Sequence, residues 1–434
     1  MPRPSSPARR RAEPATPPPG FPARRAALRL LDAVIRRGQP LETALHGAAQ
    51  GLPPSDRALV HAIAAGTLRH LRDLDALIDG ATRQPLPDDA KARMVLRLAL
   101  AQALLLETAP HAVIATALPL VDGGPRKLVH GVLGTLLREG ATLPDPPSLP
   151  AEVEARWSAS WGEAMVDAAR RAIAVRPPLD LSLRDAAMTA EMAERLGGVS
   201  LAPGHVRLPA ETDVTALEGF ADGAFWVQDL AASLPARLLG QGEGRSVLDL
   251  CAAPGGKTMQ LAAAGWRVTS VDQSAKRLER LEETVARTGL STGIQCADLR
   301  SWTPAEPADA ILLDAPCSAT GIFRRHPDVL HRVGPRQIAE MAELQAELLD
   351  RVAGWLRPGG RLVYATCSLE PAEGEDQVAA LLERHKGLRP CPIDMTPLPQ
   401  GLVGGTAGQL RTLPGMLAEA GGLDGFFIAS LEHD

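Results

Sequence analysis

Residues 247–258 read Val-Leu-Asp-Leu-Cys-Ala-Ala-Pro-Gly-Gly-Lys-Thr, an apolar run that breaks at Pro254-Gly255-Gly256 and can open a helix at Lys257 or Thr258. A strand that turns through glycines into a helix lets backbone approach a ligand and offers free N–H groups to an anion such as a carboxylate. The spacing is not that of a triphosphate-binding loop, because Cys251 stands where the first glycine of that pattern belongs. One strand further on, Val268–Asp272 ends on an acid, and Asp298 follows the next candidate strand, Ile294–Ala297. A carboxylate at a strand end can accept both hydroxyls of a ribose, so the repeated placement points to a nucleoside cofactor.

Outward from this loop, strands alternate with helices. Val247–Leu250, Val268–Asp272, Ile294–Ala297, Ala310–Asp314, Leu362–Thr366 and Phe426–Leu431 are the expected strands, with helices at Ala275–Thr288 and Arg336–Trp355 among the connections. The pattern predicts an α/β domain over 241–434: a doubly wound, Rossmann-like parallel sheet with ligands at the carboxyl ends of its strands. Upstream, Ala27, Leu30, Leu31 and Val34 fall at helical spacing, and proline- or glycine-containing breaks recur up to Gly123-Gly124-Pro125. An all-helical domain over 22–140 follows, with Ser55 as a candidate helix cap. Residues 141–150 hold four prolines and read as a linker. Residues 151–240 read as a connecting subdomain with a helix from Trp157 to Ala174 and an extended piece at Leu179–Leu183. The tail, residues 1–21, is rich in proline and carries Arg9-Arg10-Arg11, a composition expected to stay disordered.

The 434 residues carry a net charge of −5, but its distribution is uneven. Residues 1–145 hold 19 Lys and Arg against 13 Asp and Glu, a balance of +6, which leaves −11 for the remainder. A basic helical part beside an acidic catalytic part suits a phosphate-binding module attached to an enzyme. The apolar stretch Met94–Leu106 is interrupted by Arg97, there is no secretory leader pattern, and the five cysteines form no disulfide framework. A reducing, cytoplasmic setting without membrane contact is expected. No Cys-x-x-Cys or adjacent histidine set suggests a metal.

Two cysteines stand in special contexts: Cys317 in Leu-Leu-Asp-Ala-Pro-Cys-Ser-Ala-Thr-Gly and Cys367 in Ala-Thr-Cys-Ser-Leu-Glu. Either alone would be an ordinary small buried side chain. Together they occupy the ligand-binding edge of one predicted sheet. Carbon 5 of cytosine attacks a sulfonium methyl only after a thiolate has added at carbon 6, which makes the ring an enamine. Asp314 is placed to assist at N3, and a second thiol can promote release once the methyl group is in place.

The loop Cys-Ala-Ala-Pro-Gly-Gly-Lys-Thr, the Asp-Ala-Pro-Cys-Ser segment and the Thr-Cys-Ser segment resemble the bacterial ribosomal RNA cytosine-C5 methyltransferases of the Sun family, and the likeness covers roughly residues 22–434. The resemblance implies S-adenosylmethionine as cofactor, contacted by Cys251, Ala252, Ala253, Pro254, Gly255, Gly256, Lys257, Asp272, Asp298 and Asp314. It implies Cys367 as nucleophile, Cys317 as the residue that aids product release, and a NusB-like RNA-binding domain at the N-terminus. The expected partner is 16S-type ribosomal RNA, met by a monomer with no metal. Transfer RNA or DNA as substrate, and a non-catalytic RNA-binding factor, are the alternatives.

Overall fold

The computed structural model describes residues 18–402, 404 and 407–434; the tail expected to be disordered lies mostly outside them. The chain divides into two compact units between Pro144 and Asp145.

The first unit is all helical: α1 (Phe21–Ile35), α2 (Leu41–Ala48), α3 (Pro54–Arg69), α4 (Leu71–Gly80), α5 (Lys91–Leu105), α6 (Pro110–Ala117) and α7 (Gly124–Arg138). Ala27, Leu30, Leu31 and Val34 are all fully buried, as their spacing requires. Helix α5 is buried over Ala92–Gln102 and runs through the middle of the unit. Arg97, which interrupts its apolar run, pairs with Asp75 of α4 at 2.7 Å, and Arg93 pairs with Asp75 at 3.0 Å. The interior charges are thus matched rather than exposed. Ser55 does not cap: α3 begins one residue earlier, at Pro54, because a proline suits the first turn, where its missing N–H has no partner to lose.

The second unit begins inside the expected linker. Leu149 is buried in a core with Val153, Trp157 and Phe323, so residues 145–150 pack rather than span. The single helix expected from Trp157 to Ala174 is two, α8 (Ala151–Trp161) and α9 (Glu163–Ala174), broken at Gly162, whose φ of 81° only glycine adopts readily. A small antiparallel sheet follows, β2–β1–β3, built from β1 (Leu179–Leu183), β2 (His205–Leu208) and β3 (Phe225–Val227), with α10 (Thr189–Leu196) between β1 and β2.

Helix α11 (Leu230–Arg237) leads into the large sheet. Its elements in order are β4 (Ser246–Leu250), α12 (Gly256–Ala263), β5 (Arg267–Asp272), α13 (Ala275–Thr288), β6 (Gly293–Cys296), β7 (Ala308–Asp314), α14 (Val329–Arg332), α15 (Pro335–Ala353), β8 (Leu356–Thr366), α16 (Glu375–Arg384), β9 (Leu388–Pro390), β10 (Gln409–Thr412) and β11 (Phe426–His433). The strand order is β10–β11–β8–β7–β4–β5–β6, with β9 also on β11. Strands β4 to β8 pair in parallel, as expected. The sheet is not parallel throughout: β11 runs antiparallel to β8. Only a short 3-10 turn, Ala418–Ala420, stands between β10 and β11, and those two strands pair antiparallel as a hairpin at the edge of the sheet. Strand order turns back between β4 and β7, which places a ligand crevice outside their carboxyl ends. Among the described residues no helix is long and apolar enough to cross a membrane.

Candidate active site

Strand β4 ends at Leu250, and Cys251 then takes a left-handed conformation (φ 61°) that turns the loop across the sheet edge. Ala252 N–H bonds the Val271 carbonyl at 3.1 Å, tying the loop to β5. Gly255, at φ 106°, caps α12, and a Cβ there would press on Leu281. Asp272, at the end of β5, accepts hydrogen bonds from Ala253 N–H at 3.2 Å and Ser274 N–H at 2.9 Å. It shapes the loop and still has lone pairs to offer a hydroxyl. Asp298 is less free than its position suggested. The Arg300 side chain and backbone hold its carboxyl below the usual carboxylate range, with Nη2 at 2.7 Å.

A cleft opens at this edge, lined by Cys251, Asp272, Gln273, Arg277, Ala297, Asp298, Leu299, Arg300, Pro316, Leu344 and Leu348. Pro316 and the three leucines offer apolar faces to a purine, and the two acids stand where a ribose would follow. The residues fit an S-adenosyl group. Leu344, Leu348 and Arg277 were not legible as site residues, because on α15 and α13 they read as ordinary amphipathic helix positions, and Leu299 is a single leucine in the turn after β6. A larger groove, holding Arg184, Arg237 and Arg361, contains neither special cysteine and none of the loop.

Beside the cleft, Asp314 accepts from Lys257 Nζ at 2.7 Å. Burial works against the Lys257 ammonium, but Asp314, the Cys367 thiol and Asp249 outweigh it and raise its pKa. Beneath the loop, burial pushes Asp249 up to about 7 despite its bond from Thr258. Burial, with Asp314 and Asp272 nearby, pushes the Cys251 thiol up as well, so Cys251 stays a neutral wall of the loop.

The structure brings Cys317 and Cys367 together: their sulfurs lie 3.4 Å apart, unbonded and partly exposed. Each follows the end of a neighbouring parallel strand, β7 or β8, and that pairing forces the meeting. The hydrogen bond with Cys367, then burial, raises the Cys317 pKa well above the ordinary thiol value. The Cys367 carbonyl accepts from Gly321 N–H at 3.0 Å, and the Gly321 carbonyl accepts from Gly425 N–H at 2.9 Å, with no room for a Cβ at Gly321. Helix α8 supports the same loop. Glu370 is held by Arg156 at 2.8 Å and Trp157 at 3.1 Å, and Trp161 Nε1 donates to the Leu369 carbonyl. Among the described residues no group of three or more metal-ligating side chains is gathered.

Comparison with known proteins agrees with this geometry. The family described as 16S rRNA methyltransferase RsmB/F matches residues 236–432, and the NusB family matches residues 22–138. Ribosomal RNA small subunit methyltransferase B of Klebsiella pneumoniae is 35% identical, the alignment spanning 94% of this chain and 97% of that one. The protein of the same name from Xanthomonas campestris is 36% identical over 86% and 90% of the two chains. Among solved structures, PH0851 superposes with a TM-score of 0.73 at 23% identity, covering 95% of this chain and 98% of its own. NSun6 from Pyrococcus horikoshii, with SFG, superposes with a TM-score of 0.56 at 20% identity, covering 65% and 98%. A helical first unit, a mixed sheet with its cleft at the β4–β5 edge and full-length relatives at over 30% identity lead to one assignment: the chain belongs to the 16S rRNA methyltransferase RsmB/F family and is an S-adenosylmethionine-dependent RNA methyltransferase.

Proposed function

We propose that the chain methylates C5 of a cytosine in small-subunit ribosomal RNA, with Cys367 as nucleophile and Cys317 as the residue that promotes release. The pair of sulfurs 3.4 Å apart beside the cleft carries this reading. Cys251 to Lys257, Asp272, Asp298 and Asp314 would hold S-adenosylmethionine, which supplies an electrophilic methyl group when bound. Cys367 Sγ adds as the thiolate to C6 of the flipped-out base. Asp314, bonded to Lys257, assists at N3 as electron density moves toward C5. After C5 has taken the methyl group its proton passes to the sulfur of Cys317 acting as base, the C5–H electron pair re-forms the C5–C6 double bond, and the C6–S bond breaks to release Cys367 as thiolate.

In the same reading, residues 22–140 form an RNA-binding domain, 151–240 connect it and 241–434 perform the transfer, as a monomer and without a metal. Tritiated methyl transfer to ribosomal RNA, transfer RNA and DNA discriminates the substrates, and bisulfite sequencing locates the cytosine. Cys367→Ala abolishes transfer; a Cys367→Ala protein that methylates at the normal rate sinks the assignment. Cys317→Ala accumulates a covalent protein–RNA adduct that is retarded in a denaturing gel and absent from the double variant.

A further inference from the structure

Glu373 lies six positions beyond Cys367, at the end of the short turn Pro371–Glu373, and is fully buried. A buried carboxylate ordinarily recruits a cation, because an isolated charge in the interior is costly. Glu373 makes no ion pair among the described residues. Its charge is held by neutral donors instead. One oxygen accepts from Ser318 N–H at 2.8 Å and Gln345 Nε2 at 3.1 Å, and the other accepts from the hydroxyls of Ser318 and Ser368. Ser318 and Ser368 are the residues immediately after the two special cysteines. One carboxylate therefore grips both thiol-bearing loops next to their sulfurs. Gln345 extends the grip to the other side of Cys317 by donating to the Pro316 carbonyl at 2.8 Å. The turn itself is anchored to β8, since the Glu373 carbonyl accepts from Tyr364 OH at 2.8 Å and Thr366 Oγ1 at 3.2 Å.

The geometry points to Glu373 as a positioning residue that fixes the spacing of the two thiols and lays a negative charge against the loop of Cys317. The inference rests on the reading of Cys367 as nucleophile. The two sulfurs are chemically alike and in contact, so something outside them must decide which one ionises. Lys257 acts on Cys367 from the cleft side, and Glu373 acts on Cys317 from the interior. The hydrogen bond from Cys367 and burial act on Cys317 in the same direction as Glu373 and ahead of it. A thiol flanked by a fixed anion holds its proton more tightly. Among the described residues Glu373 has no ion-pair partner, and Arg411, on the Ser368 carbonyl, is itself paired with Glu375.

The test is the full-length Glu373→Gln protein, read by site-resolved iodoacetamide labelling of the two cysteines and by steady-state kinetics on RNA. In the parent protein Cys367 labels faster than Cys317. In E373Q that ratio falls about tenfold, the equivalent of one pKa unit, and kcat falls by a similar factor while KM for RNA and cofactor holds. An E373Q protein with the parental labelling ratio and kcat overturns the inference. If Cys367→Ala is inactive while E373Q matches the parent, only the positioning role is lost; an active Cys367→Ala removes the underlying reading instead. Should E373Q fail to fold, the double variant Ser318→Ala with Ser368→Ala removes both hydroxyl grips, and kcat is then expected to drop at unchanged KM. A parental kcat in that variant overturns the inference equally.

Discussion

Two buried carboxylates organise the second unit, and they are held in opposite ways. Asp180, on β1, accepts from Arg207 at 2.7 and 2.9 Å, His205 at 3.2 Å and Leu230 N–H at 3.0 Å. Arg325 lies 3.8 Å away and continues to Asp229 at 2.7 Å and Asp424 at 3.2 Å. This cluster ties the small sheet to the turn before β11, and its charges cancel within it. Among the described residues Glu373 has donors but no ion-pair partner. The difference separates two uses of a buried charge. Where opposite charges meet, the result is a joint whose field does not reach far; where only dipoles solvate the anion, its field is left to act on a neighbour. The first arrangement suits architecture, the second suits tuning.

Breaking the Asp180 joint carries the largest expected effect. Asp180→Ala leaves the buried Arg207 guanidinium without its carboxylate and costs about 3–5 kcal/mol, read from urea unfolding; a loss below about 1 kcal/mol would falsify the view of Asp180 as a joint. The pH dependence sharpens the same contrast. Burial alone would raise the Asp180 pKa, but hydrogen bonds and charges from Arg207 and His205 outweigh it and hold the group below the usual carboxylate range. A depressed folded-state pKa gives stability that is complete above the unfolded value of about 3.9 and is lost as pH falls toward the folded value. Asp180→Asn therefore flattens the acid limb of the stability curve below about pH 4, measured by urea titration at successive pH values, and an unchanged slope there contradicts it. The smallest stability effect is at the other cluster: Ser368→Ala removes one of four donors to Glu373 and costs about 1 kcal/mol, yet lowers kcat more than that loss of stability explains. A parallel change in both would make Ser368 merely structural.

Much of the catalytic half was legible because it is encoded locally. Parallel strands buried on both faces are short apolar runs, and Asp272, Cys317 and Cys367 fall at their ends by simple counting. The doubly wound architecture followed from the alternation of strands and helices. What escaped was encoded by distance along the chain. Glu373 meets Ser318 across 55 positions, and nothing in Glu-Pro-Ala-Glu marks the second acid as interior. Leu344 and Leu348 serve the cleft from a helix face that any core-facing helix would show. Arg300 occupies Asp298 through a side-chain choice that strand periodicity does not govern. The break at Gly162 and the reversal at β11 were missed because an isolated glycine and a final apolar strand carry no direction of their own.

The stacked backbone contact of Cys367, Gly321 and Gly425 also has a consequence in time. Gly425 comes 58 positions after Cys367 in the sequence, so the support for the Cys367 loop is made well after the loop itself. Until β11 has slipped in beside β8, the edge of β8 is bare and the thiol loop has no backing. A nascent chain thus carries both sulfurs before it can hold them in register, and the pair is assembled only once β11 is in place.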